Sequence, residues 1–107
     1  MKNRFNWEFE LLKAAYRGAQ AEYLRRTDAE RDRDALVANL RRAAAQAEDR
    51  RGAFPGVDQY DLFLDRYLGV VREVIDRASG EADLEPLLAE GWRRFTSLED
   101  EIRLRLK

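Results

Sequence analysis

The side chains in this chain that could carry chemistry are mostly carboxylates and guanidiniums. Asp58, Asp61 and Asp65 recur at helical spacing, so they share one side of a helix. Carboxylates placed this way can hold Mg²⁺ if a second acidic cluster faces them from a neighbouring helix. The other dense cluster is Glu99-Asp100-Glu101, and only alternate members of it can point inward. Acids at the start of a helix are equally explained by the positive end of its dipole. No metal ligand, catalytic residue or cofactor is therefore assigned.

Arginine comes in four doublets: Arg25-Arg26, Arg41-Arg42, Arg50-Arg51 and Arg93-Arg94. The guanidinium fork suits phosphate and carboxylate, which makes Arg25, Arg26, Arg41 and Arg42 candidate basic contacts. Neighbours in a helix point about 100° apart, however, so a doublet does not by itself make a one-sided patch. Asp28, Asp32 and Asp34 are interleaved with the basic residues, as a solvated, ion-paired surface would have them.

Tyr16, Tyr23, Tyr60 and Tyr67 fall on apolar seams. Their hydroxyls either frame a polar pocket with an Arg or lie at the bundle edge in water, and the edge is the commoner place. Trp7 and Trp92 read as core or interface anchors. With no His and no Cys, the usual base, thiolate nucleophile and soft metal ligands are missing. The only serines are Ser79 and Ser97, and no glycine-rich phosphate loop occurs.

The charge balance narrows the partners. The 107 residues carry a formal net charge of -1, with 38% charged residues. A nucleic-acid coating protein would be clearly basic, because phosphate contacts supply much of its affinity. Residues 1–52 hold 12 Lys and Arg against 9 Asp and Glu, and the remainder holds 8 against 12, a mild asymmetry. Only Lys2, Lys13 and Lys107 are lysines, a bias typical of a GC-rich bacterial or phage genome. The start MKNRFNWEFE has no apolar signal region, and no apolar run is long enough to span a membrane. These features lead us to expect a cytoplasmic protein folded as one helical domain over residues 1–107.

The elements that position these groups are helices. Phe5, Phe9, Leu12, Tyr16, Ala19 and Tyr23 step by four and three, as do Tyr60, Leu64, Tyr67, Val71, Val74 and Ala78. Leu84, Leu88, Gly91, Phe95, Leu98 and Ile102 do the same. Each series is the buried seam of an amphipathic helix. The first helix is expected over about residues 6–26, capped by Asn6, with Glu8 and Glu10 near its dipole. Thr27 with Glu30 reads as a capping box that starts a second helix over 28–51. The unbroken seam also permits one long helix through this region. Gly52 and the turn Phe54-Pro55-Gly56-Val57 end the second helix. A third helix follows over 58–79, with Asp58 as cap and Val57 stapled to Leu62. Its apolar arc is the widest, so it is expected to be central. A fourth helix begins between Asp83 and Pro86 and runs to about 105. The fold class is all-α: an antiparallel bundle of four helices, or of three with a long first one.

The first helix carries a second apolar row opposite its seam: Trp7, Leu11, Ala14, Gly18 and Ala21. Four short helices can cover one of its faces. The other is expected to be an interface to a second subunit or another protein. The functional expectation is a non-catalytic protein-binding module, such as an inhibitor, an antitoxin- or immunity-like protein, an adaptor or a small assembly subunit, most simply a homodimer. The alternatives are an accessory subunit of a nucleic-acid complex using the Arg doublets and, third, a carboxylate- and metal-dependent enzyme.

Overall fold

The structure, a computed structural model, describes the backbone of residues 4–56 and 58–106 and the side chains of 7–27, 29–56, 58 and 60–101. Helices α1 (Arg4–Leu24), α2 (Arg33–Asp49), α3 (Asp58–Ala78) and α4 (Leu84–Leu106) follow one another, with a 3₁₀ turn at Asp28–Glu30. Each helix packs on its sequence neighbours, and α4 returns to α1. The contacts run antiparallel. Arg94 meets Glu73 at 2.9 Å and Arg66 meets Glu101 at 2.9 Å, so α4 descends as α3 rises. Glu48 with Arg72 and Arg51 with Asp65 show the same reversal between the α2 and α3 sides. Short connections force this alternation. The result is the antiparallel four-helix bundle that the seams imply. The wide arc of α3 shows as the long buried series from Tyr60 to Ala78, and besides its neighbours α2 and α4 it meets α1 across the bundle, Phe63 on Phe9 and Tyr67 on the Leu12 carbonyl.

The break after the first helix is real, which excludes the single long helix. Its chemistry differs from the expectation. The Glu30 carboxylate does accept from the Thr27 N–H at 3.4 Å, but this box organises only the 3₁₀ turn. The cap of α2 is Asp32, whose side chain accepts from the Ala35 N–H at 3.2 Å. At the other end α1 begins at Arg4, two residues before the expected cap Asn6, whose side chain lies outside the described residues. No acid occupies the first turn of α1. Glu8 is turned into the bundle, so it does not serve the helix dipole at the surface.

Gly52 and Gly56 adopt φ of 84° and 82°, left-handed values that side chains resist, and so reverse the chain between α2 and α3. Asp58 is the first residue of α3, and Val57, in the expected staple, lies outside the described residues. Asp83 accepts from the Glu85 N–H at 3.1 Å and starts α4, with Pro86 in the first turn.

Tyr67, Val71, Val74 and Phe95 are buried, as the centres of two seams should be. The aromatic rings form a chain through the core. Phe9 meets Phe63 at 4.2 Å, Phe63 meets Tyr67 at 6.1 Å, and Phe95 lies 4.9 Å from Tyr67 and 4.8 Å from Tyr16. The Tyr16 hydroxyl donates to the Leu88 carbonyl at 2.6 Å, and that of Tyr67 to the Leu12 carbonyl at 2.6 Å. These hydroxyls, and that of Tyr60, are therefore inside the protein rather than in water at its edge. Each finds an acceptor on another helix.

Two stability measurements check these assignments. Asp32→Ala should lower unfolding stability by about 1 kcal/mol, whereas Thr27→Ala should lower it much less. Equal losses in denaturant titration would restore Thr27 as the cap. Gly91→Ala should destabilise, although Ala is better than Gly by about 1 kcal/mol in an open helix. A Cβ there would overlap the Tyr16 hydroxyl and stand 3.3 Å from Val74 Cγ2. Overpacking of this kind costs about 1–3 kcal/mol, enough to reverse the sign.

Candidate functional site

The two apolar rows of α1 lie about half a turn apart, so a bundle that buries one must leave the other outside. Phe9, Leu12, Tyr16 and Ala19 are buried. Trp7, Leu11, Ala14, Gly18 and Ala21 are exposed. Trp7 is 70% exposed and Leu11 47%, and they are the exposed large hydrophobic residues among those described. Between α1 and α2 the small side chains open a groove of about 480 Å³. Ala14, Ala15 and Gly18 line it on one side and Asn39, Arg42 and Gln46 on the other. Leu11 borders the next hollow along, beside Gln46, Asp49 and Arg50.

The four candidate basic residues do not converge. Arg25 and Arg26 share the one carboxylate of Glu22, at 3.0 and 2.9 Å. Arg42 donates to Asn39 at 2.6 Å beside the α1/α2 groove. Its neighbour Arg41 turns to a shallow hollow with Arg72 and Ile75 on α3. The 100° step between neighbours has divided the doublet between two sides of α2. The aspartates of α3 are similarly dispersed. Asp58, Asp61 and Asp65 are exposed, and Asp65 pairs with Arg51 at 2.9 Å. Among the described residues no group of three acids is arranged to hold a metal ion.

Two polar clusters were not read from the sequence. In the first, Glu8 is 4% exposed and takes both arms of the Arg50 guanidinium, at 3.1 and 2.5 Å. The Tyr60 hydroxyl donates to the same carboxylate at 2.8 Å. The clue was Glu8 itself, an acid one turn before Leu12 on the buried side. In the second, Lys13 on α1 donates to Glu99 on α4 at 2.5 Å, with both side chains largely buried. Burial alone lowers the Lys13 pKa, but the hydrogen bond and charge of Glu99 outweigh it and raise the ammonium above its usual value. Arg17 stacks over the Trp92 ring at 4.3 Å beside this pair. The first cluster joins α1, the end of α2 and α3, and its Arg50 borders the hollow beside Leu11; the second joins α1 to α4.

Compared with protein-family models, curated proteins and solved structures, the chain finds no match. The outer face of α1 is thus characterised by its own geometry: an exposed Trp and Leu leading into a strip of small residues.

The buried tyrosines give a pH test. Burial, with the Glu8 charge and hydrogen bond, pushes the Tyr60 hydroxyl up to about 12. Burial likewise raises Tyr16 and Tyr67 well above 10. In the unfolded chain tyrosine ionises near 10. Above that pH the unfolded state loses protons that the native state keeps, so stability falls as pH rises. From neutral pH to about 10 the tyrosine contribution to stability should be level, and it should decline from there toward pH 12 and beyond. Tyrosinate absorbance that appeared fully near pH 10 with the fold intact would show that these hydroxyls are not buried.

Proposed function

We propose that this protein is a non-catalytic protein-binding module that acts through the outer face of α1 and joins copies of itself into a homodimer. An inhibitor, adaptor or small subunit of a larger assembly would work in this way. The observation that carries the reading is the exposure of Trp7 and Leu11 on a face continued by Ala14, Gly18 and Ala21. An apolar row of this kind is a normal docking surface and an unfavourable free one. A two-fold dimer covers the same patch on both partners. The Arg doublets support a nucleic-acid role less well, because Arg25 and Arg26 are held by Glu22 and Arg41 and Arg42 face different ways.

Light scattering across a concentration series tests the reading. The unaltered chain should form dimers. The double variant Leu11→Glu, Ala14→Glu should be monomeric, with its helix content and unfolding midpoint little changed, since both positions are exposed. An unaltered chain that stays monomeric at high concentration would count decisively against self-association.

A further inference from the structure

We propose that the connection between α1 and α2 is a hinge that straightens when two copies meet, so that each chain exchanges its α1 with the other. This stands apart from the reading of the outer face of α1. In a single chain the break is required, because a continuous helix would carry α1 away from the bundle it completes. A second copy offers the same bundle. In the exchanged pair Phe9, Leu12, Tyr16 and Ala19 of each chain enter the other's core. The contacts between elements are kept, and only the hinge changes.

This connection differs from the other two in its backbone. Gly52 and Gly56 hold positive φ between α2 and α3, with Pro55 between them. Gly80 lies between α3 and α4, and Pro86 in the first turn of α4 would break a helix continued through it. Residues 25–32 contain neither glycine nor proline, and among the described residues positive φ is confined to Gly52 and Gly56. Thr27 and Arg31 leave the helix through ψ alone, with φ of -66° and -69° beside ψ of 160° and 132°. Asp32 departs in both angles, at φ -118° and ψ 106°. Between them Asp28–Glu30 is already a 3₁₀ turn.

The buried seam also passes through the break. Leu12 and Ala19 of α1 and Leu40 and Ala47 of α2 are all buried, and they stand multiples of seven residues apart. Arg26 and Arg33 fill the two positions between. A heptad frame keeps one face on one side of a supercoiled helix. The two arginines then fall at the midpoint, between the two bundles, where water reaches them.

Side chains hold the bend. Arg31 donates to the Leu24 carbonyl at 3.1 Å and the Arg26 carbonyl at 3.0 Å, and lies over the Tyr23 ring at 5.5 Å. The Thr27 N–H donates to Glu30, and Asp32 caps α2. In a continuous helix the Leu24 and Arg26 carbonyls accept from backbone N–H groups four residues on, and Arg31 is released.

Refolding from denaturant at high protein concentration, read by size exclusion and small-angle scattering, tests the hinge. The single bundle is 47 Å in its longest extent. A helix over 4–49 is about 69 Å long at about 1.5 Å per residue. The triple variant Thr27→Ala, Arg31→Ala, Asp32→Ala should raise the yield of dimer several-fold over the unaltered chain. That dimer should be well over 47 Å long and slow to separate on dilution, because its core must open. Adding Asp28→Pro should abolish it. The bent chain accepts proline there, since Thr27 has the angles of a residue before proline and residue 28 opens the turn, whereas a continuous helix does not. Leu11→Glu with Ala14→Glu should leave this dimer intact, which separates it from association through the outer face. A triple variant that refolds only as monomer overturns the hinge. So does a dimer that survives Asp28→Pro, and one that is lost to the double Glu substitution instead leaves the outer-face reading standing.

Discussion

Two buried tyrosine hydroxyls set the register of this bundle. Apolar stripes say which faces meet, but they let helices slide by a turn with little change in burial. A hydroxyl within the core removes that freedom, because a slip leaves it without an acceptor at a cost of about 1–3 kcal/mol. Tyr67 on α3 fixes its height against the Leu12 carbonyl of α1, across the bundle. Tyr16 on α1 fixes its height against the Leu88 carbonyl of α4. α4 can receive that ring because Gly91 leaves room for it. The Phe95 ring then packs on both tyrosines. Helices α1, α3 and α4 are thereby registered to one another, and α2 is tied in by Arg50, just past its end, on Glu8.

The surface follows from the same register. Once α3 and α4 are aligned, Arg66 with Glu101, Glu73 with Arg94 and Arg77 with Glu90 fall level. These exposed pairs contribute little individually to stability. Their consequence is electrostatic, because charge of one sign is neutralised where it might have accumulated. Along this seam, among the described residues, each of these arginines stands beside a carboxylate.

The positions of the seams were legible in the sequence because burial repeats with the helix. Tyr67, Val71, Val74 and Phe95 could be placed from spacing, and so could the outward turn of Trp7 and Leu11. What spacing could not supply was the partner of a polar group. Thr27 and Glu30 have the pattern of a helix cap and do cap a 3₁₀ turn, but the chain leaves helical geometry again at Arg31 and Asp32 starts α2, a second start that a run of alternating charges conceals. Glu8 looked like a surface acid near a helix start because its two partners, Arg50 and Tyr60, are 42 and 52 residues away. The places of the Tyr16 and Tyr67 hydroxyls were hidden for a related reason: their acceptors are backbone carbonyls, which no residue type announces. Gly91 read as a seam position, but the need for glycine there appears only when the Tyr16 ring is in place.

The interior and the outer face of α1 then stand in contrast. Inside, among the described residues, every buried side-chain nitrogen and oxygen has a partner. The buried acids Glu8 and Glu99 each hold a cation on another segment, Arg50 and Lys13. Outside, along α1, the apolar row lies largely in water. Trp7 contributes most of its ring to solvent, and Gly18 lowers helix propensity without relieving any crowding. Among the described residues the core thus closes upon itself, while the outer row of α1 keeps an indole ring and a leucine side chain in water.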